Sequence, residues 1–201
     1  MGLNGHNTLF PSDHSVWNKK FYNKLMKYMA KWTPSLLLLL TILGIPFSAF
    51  AKVTIGDPAP IITGKLMDGT VFTSKDWQGR VILIHFWASW CEPCKEELPL
   101  LKSFYEKNHP LGLEVLTISM DKPVDTDLSK KMMQMFPFTN SLKNEVQIES
   151  FGRIWRIPTT FVINRQGIVV KDGLKGNPQI DEHLLNQVVR PLLENVKDTK
   201  N

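Results

Sequence analysis

Cys91 and Cys94 are the only two cysteines in the 201-residue chain, set in the stretch Phe86-Trp87-Ala88-Ser89-Trp90-Cys91-Glu92-Pro93-Cys94-Lys95-Glu96-Glu97-Leu98-Pro99. Cysteines two residues apart admit three chemistries: half of a metal site, a structural disulfide, or a redox-active dithiol. A structural metal asks for about four ligands. Apart from His6 and His14 near the start, the histidines are His85, His109 and His183, none at ligand spacing from the pair. No metal is therefore expected. A disulfide closing so short a loop constrains the unfolded chain little and makes a poor staple. A dithiol that exchanges with other disulfides fits the spacing, provided the pair sits where a strand gives way to a helix.

The surrounding elements supply that context. Val81 to Trp87 (VILIHFW) is a nearly continuous apolar run rich in branched and aromatic residues, the pattern of a strand buried on both faces. Leu113 to Ser119 and Thr160 to Ile163 read the same way. Asn164-Arg165-Gln166-Gly167 punctuates the chain before Ile168 to Lys171, so the last two strands form a hairpin. Ile61–Lys65 and Thr70–Thr73 flank the turn dipeptide Asp68-Gly69 and suggest another. A small helical turn surrounds Ser74 to Trp77. Helical patterns follow Cys91, run from about Thr126 to Met135, and occupy Asp181 to Asn195. Lys143 and Glu145 read as surface loop, and Lys95 as a solvated helix residue. Strand, helix, strand, helix, hairpin and helix make an α/β sandwich with helices on both faces. The cysteines fall at the carboxyl end of its central strand, where open α/β sheets place their sites. The N-terminus of the following helix favours a thiolate.

FWASWCEPCK resembles the active site of the thioredoxin superfamily, and the KEELP after it resembles the exported TlpA/ResA-type branch, which includes DsbE/CcmG-like proteins. Arg156-Ile157-Pro158-Thr159-Thr160-Phe161-Val162-Ile163-Asn164, followed by Gly167-Ile168, is similar to that family's cis-proline strand and hairpin. The resemblance spans about Ile55 to Asn195. It implies a three-layer sandwich around a mixed sheet, with an extra N-terminal hairpin and a central insertion. Cys91 matches the exposed nucleophile and Cys94 the buried resolving thiol. Pro158 matches the cis-proline facing the pair, and Ile157 the residue whose backbone bonds an extended substrate. Trp90, beside the nucleophile, is the candidate substrate-facing aromatic, whereas Trp87 belongs to the core strand. The reaction implied uses the Cys91–Cys94 disulfide and no further cofactor.

Two more residues are singled out by geometry. Counting about 100° per residue from Cys91, Glu97 falls near 240°, inside the arc of Cys94, Leu98, Leu101, Phe104 and Tyr105, whereas Glu96 near 140° points away. A carboxyl on that apolar side should have a raised pKa and can exchange a proton with Cys94. The exported branch carries a functional glutamate at the matching position. His85 shares a strand face with Leu83 and Trp87 and is expected to be buried and neutral, either a satisfied core histidine without catalytic part or, with Glu92 and Pro93, a residue that tunes the Cys91 thiolate. The family departs here: thioredoxin has a buried aspartate and the exported branch commonly an asparagine.

Whatever stabilises the Cys91 thiolate makes the pair more oxidising. The intervening residues are Glu92, an acid, and Pro93, which has no backbone donor. Both work against the helix terminus and set the pair toward the reducing end. A reductant in an oxidising compartment draws electrons from elsewhere, here a membrane thiol carrier. The resemblance implies protein clients with a disulfide or cysteine pair, with apocytochrome c the leading case. The rival readings are an exported oxidant or isomerase of the same fold, and a binding module with an inert disulfide. A peroxide-reducing relative would carry a threonine three residues before its cysteine, where this chain has Ala88.

The front of the chain bears on location. Ser35 to Ala49 is an apolar run preceded by Lys19, Lys20, Lys24, Lys27 and Lys31, and it closes on Ala49-Phe50-Ala51. That is the layout of a secretory signal covering residues 1–51, cleaved near Ala51, or of an uncleaved anchor. Both readings put a domain of residues 52–201 on the far, periplasmic side of a membrane. Met26 or Met29 would open a signal of ordinary length. Of the formal net charge of +5, five lysines and Asp13 in the first 51 residues carry +4, leaving +1 for the domain. A basic balance of this origin gives no reason to expect nucleic acid as a partner.

Overall fold

The structure, a computed structural model, describes residues 22–28 and 52–194 of the chain. Residues 22–28 are helical and exposed and belong to a separate unit. The apolar run and the cleavage pattern before Lys52 lie outside the described residues. Among the described residues no helix is long and apolar enough to cross a membrane.

The domain is built on β3 (Val81–Trp87), whose seven residues are all buried. Both of its edges are used. It pairs in parallel with β4 (Leu113–Ser119), Val81 opposite Leu113 and Trp87 opposite Ser119. On the other side it runs antiparallel to β6 (Thr159–Ile163), with His85 opposite Thr160 and Phe86 opposite Thr159. The complete sheet has the order β2-β1-β5-β4-β3-β6-β7, where β1 is Thr63–Leu66, β2 Val71–Thr73, β5 Thr139–Val146 and β7 Val169–Lys171. The N-terminal hairpin β1–β2 therefore extends the main sheet through β5.

β5 is the element that sequence patterning misses. TNSLKNEV is polar and half exposed, so it carries neither a period-two alternation nor an apolar run. Its strand conformation comes from pairing with β4 on one side and β1 on the other. Lys143 and Glu145 are exposed, as expected, but they stand on a strand rather than in a loop.

Alternation along β3 divides the core. Val81, Leu83 and Trp87 face α1 (Glu92–Asn108), with Leu98, Leu101 and Phe104, and the C-terminal helix, with Leu184, Leu185, Val189 and Leu193. Met133, at the end of α2 (Thr126–Met133), joins the same cluster. Ile82, Ile84 and Phe86 face Val53, Ile62, Phe151 and Phe161. On this second face the helical cover consists of 3₁₀ turns, Ser74–Trp77 and Glu149–Phe151, with the lead-in around Val53. The C-terminal helix is π-helical over Leu184–Val189 before continuing as α3 (Arg190–Glu194). The buried set of α1, Cys94, Glu97, Leu98, Leu101, Phe104, Tyr105 and Asn108, is the arc expected from helical periodicity.

Candidate active site

The chain leaves β3 at Trp87 and reaches Cys91 through a short loop that is held from both ends. Met120 N–H donates to the Trp87 carbonyl at 2.7 Å, and Cys91 N–H to Ala88 at 3.1 Å. Asp121, just beyond β4, accepts from the Ser89 N–H at 3.0 Å, the Ser89 hydroxyl at 2.8 Å and the Ser119 hydroxyl at 2.7 Å. One carboxylate thus ties the end of β4 to the loop that carries the cysteines. Sequence patterning passed over Asp121. The available signal was an acid at the carboxyl edge of a parallel strand pair, where such folds place their sites.

Cys91 occupies the N-cap of α1 in extended conformation, without a side-chain capping bond, and Pro93 stands in the first turn. Pro fits there because its missing N–H would be unpaired in any case. Cys91 and Cys94 form a disulfide with Cα atoms 5.3 Å apart. Cys94 is fully buried, and Cys91, the residue expected to be exposed, retains 5% of its surface. Glu92 is exposed and reaches Lys95 at 2.5 Å. The ammonium offsets part of the negative charge that Glu92 brings to Cys91, so Lys95 has a definite partner and Glu92 tunes the thiolate less than an unpaired acid would.

The Ile157–Pro158 peptide bond is cis. Thr159 lies opposite Phe86, so continuing the antiparallel register brings Pro158 level with Trp87, the end of β3 from which the cysteine loop departs. Pro158 is buried and Ile157 half-buried. The preceding segment is fixed by Arg156, which donates to the Gly176 carbonyl at 3.1 Å and lies over the Trp155 ring at 5.0 Å. Trp90 and Trp155 are both about two-thirds exposed. They stand on the two loops that carry the disulfide and the cis-proline. Trp90 was expected at such a surface and Trp155 was not singled out. Trp87 is fully buried in the core.

Glu97 and His85 meet beneath the disulfide. Glu97 is one turn beyond Cys94 on the buried face of α1 and keeps 6% of its surface. Burial pushes its carboxyl up to about 8. The Ile180 N–H works against that rise, Asp181 adds to it, and Lys171 lowers it. Neither Glu97 oxygen has a hydrogen-bond partner of full geometry among the described residues. His85 has no exposed surface, and burial pushes its imidazole down to about 3, so it is neutral. Its Nδ1 lies 3.1 Å from the Thr160 hydroxyl and its Nε2 3.9 Å from Glu97 Oε2. The histidine is therefore only half satisfied. Lys171 completes the surroundings, donating to the Thr160 carbonyl at 3.2 Å and to Asn177 at 2.9 Å. Gly173 allows the closing approach, since a Cβ there would stand 2.8 Å from the Thr160 carbonyl oxygen. Thr160, Lys171 and Asp181 were not marked in the sequence, because each enters from a different element.

A mixed sheet of this order, a cysteine pair at the junction of its central strand with a helix, and a cis-proline level with that junction define a thioredoxin-like thiol-disulfide oxidoreductase. Residues 55–172 match the model of the AhpC/TSA family, and the chain belongs to that family. It is 30% identical over 146 residues to the thiol-disulfide oxidoreductase ResA of Bacillus cereus, covering 69% of this chain and 81% of that one. ResA of Geobacillus thermodenitrificans is 28% identical over 161 residues, covering 76% and 91%. Among solved structures, a protein described as thiol:disulfide interchange protein DsbE from Chlorobium tepidum superposes with a TM-score of 0.59 at 28% identity. That match covers 70% of this chain and 99% of the other.

Proposed function

We propose that the protein works as an exported reductant of protein disulfides, with apocytochrome c as the leading client and a membrane thiol carrier as its source of electrons. The reading of export is supported by the lysines ahead of the apolar run in residues 1–51. The reducing direction is supported above all by the burial of both sulfurs. A thiolate at Cys91 (5% exposed) or Cys94 (0%) is poorly hydrated. Beside Cys91, Glu92 brings a negative charge that its pairing with Lys95 offsets only in part. Loss of thiolate stabilisation favours the disulfide and makes the dithiol a better donor.

In the reaction, the Cys91 thiolate attacks one sulfur of the client disulfide. A Cys91–client bond forms and the client's other sulfur leaves as thiolate. Cys94 then gives its proton to ionised Glu97, and its sulfur attacks Cys91. The Cys91–Cys94 bond forms, the second client sulfur leaves, and two electrons have passed to the client. A dithiol carrier resets the pair by the reverse exchange. Ile157 and Pro158 offer the extended client a backbone edge, and Trp90 an apolar contact beside the sulfur. Ala88, in place of a threonine, disfavours peroxide as the oxidant.

A Cys94→Ser variant tests this reading, because without the resolving thiol the mixed disulfide at Cys91 persists. Apocytochrome c should be recovered on it from exported proteins, and the wild-type pair should have a potential near that of thioredoxin, roughly −270 mV. A potential near roughly −120 mV would mark an oxidant. A pair that dithiothreitol cannot reduce would mark an inert disulfide.

A further inference from the structure

The residue left without explanation is His85, a fully buried imidazole with one nitrogen satisfied and the other facing an acid whose oxygens, apart from the influence of the Ile180 N–H, have no hydrogen bond of full geometry among the described residues. A buried polar atom without a partner costs about 1–3 kcal/mol, and here three such atoms, His85 Nε2 and both Glu97 oxygens, adjoin one another. We propose that His85 is the positioning partner of Glu97: its Nε2 accepts the Glu97 carboxyl proton and aims that carboxyl at Cys94, while Nδ1–H donates to Thr160. The inference rests on Glu97 acting as the proton carrier of thiol-disulfide exchange.

The observed 3.9 Å is too long for a hydrogen bond but needs only a side-chain adjustment of about 1 Å to become one. The ring is fully buried, and Nδ1 is engaged by Thr160 at 3.1 Å, which holds it in this orientation. Thr160 is in turn fixed by pairing with His85 in the sheet register, and its carbonyl holds Lys171. The titratable and charged groups around the pair are Cys94 from α1, Lys171 from β7 and Asp181 ahead of the C-terminal helix. Lys171 and Asp181 act on Glu97 in opposite senses, the Ile180 N–H lowers its pKa, and His85 Nε2 is the uncharged acceptor that faces the carboxyl.

The consequence for the reaction is a proton with two addresses. With the disulfide intact, the Glu97 O–H donates to His85 Nε2. When an incoming thiolate attacks Cys91 and the electron pair leaves on Cys94, the same O–H turns to the new thiolate and passes its proton to sulfur. Glu97 is left ionised. In the opposite direction Glu97 takes the proton from Cys94, and its bond to His85 re-forms. His85 neither gains nor loses a proton in either direction. It stabilises the protonated carboxyl and fixes its orientation.

The test uses the side-chain geometry of amides. In His85→Asn the amide nitrogen reproduces Nδ1 and keeps the Thr160 contact but nothing remains at the Nε2 position. In His85→Gln the amide reaches the Nε2 position instead. Carbon-13 titration of the Glu97 carboxyl in the full-length chain should show its midpoint falling by about one pH unit in His85→Asn, the equivalent of one lost hydrogen bond. It should return most of the way in His85→Gln. The nitrogen-15 signal of His85 Nε2 should move with the Glu97 midpoint in the wild type and stay flat in Glu97→Gln. An unchanged midpoint in His85→Asn, or a flat Nε2 signal in the wild type, overturns the proposal. Measured beside these titrations, disulfide exchange by the wild type separates the two readings. Coupling without exchange leaves the pair and removes the function, whereas exchange without coupling does the reverse.

Discussion

Replacing Glu97 by glutamine should make the protein more stable and less active, with the size of the gain set by pH. The carboxyl titrates at about 8 in the fold against 4.5 ordinarily. Below 4.5 it is protonated both folded and unfolded, and costs nothing. As pH rises, the unfolded chain ionises while the folded one cannot, so stability is lost progressively until about pH 8. At pH 7 the gap is 2.5 pH units, and at about 1.4 kcal/mol per unit the penalty is about 3 kcal/mol. The residue is nearly excluded from water, so little of this is screened. Glutamine occupies the same volume without an ionisable proton. It should therefore gain about 3 kcal/mol at pH 7 and nothing at pH 4. For a domain of this length that is a rise in melting temperature of about 10 °C at pH 7. Thermal unfolding of the two oxidised proteins at both pH values measures it. In the same variant, reduction of a disulfide-linked peptide should slow by about 10²-fold, the usual worth of a positioned acid–base group. Glu96→Gln, on the exposed face, should change neither quantity. A gain that is the same at pH 4 and pH 7, or no gain at pH 7, would refute the claim that this carboxyl is held neutral by burial.

Asp121→Ala removes a carboxylate that accepts from Ser89 and Ser119, and should cost about 2 kcal/mol in denaturant unfolding because charge-assisted bonds are lost. It should also slow exchange, since the loop leading to Cys91 then loses its side-chain tie to the end of β4 and keeps only its backbone bonds; an unchanged exchange rate would show that the tie is structural alone. Trp90→Ala removes a side chain 65% exposed, so its effect on stability should stay within about 0.5 kcal/mol. The KM for a folded protein client should rise while the rate with a small disulfide stays the same, and equal effects on both substrates would remove Trp90 from client contact.

Legibility in the sequence followed how local each cause was. β3, β4 and α1 were readable because their own side chains determine them. Seven positions that are apolar at all but His85 need burial on both faces, and a helical period places Glu97 inside and Glu96 outside without knowledge of any partner. Glu92 and Lys95 stand at i and i+3, so their pairing was readable in principle from helix geometry. β5 was not, because a polar segment becomes a strand only when β4 and β1 offer it hydrogen bonds. On the second face of the sheet the turn at Ser74–Trp77 was legible in its own residues, whereas Glu149–Phe151 is too short to show a helical period.

The candidate site divides along the same line. The cysteines and Pro158 lie within motifs, and the helix period isolates Glu97. What periodicity cannot state is the distance between a strand residue and a helix residue twelve positions later. His85 read alone is a core histidine, and on burial and neutrality that is what it is. Its significance comes from Nε2 and Glu97 Oε2 approaching to 3.9 Å across the junction of β3 and α1. That approach is a property of how the helix is docked, which depends on Leu98, Leu101 and the C-terminal helix packing against the sheet. The approach of His85 to Glu97 is thus a product of tertiary packing acting on two residues whose individual burial was foreseeable. Each alone would be an unsatisfied polar group in a core, and their adjacency gives both a physical reason to be there.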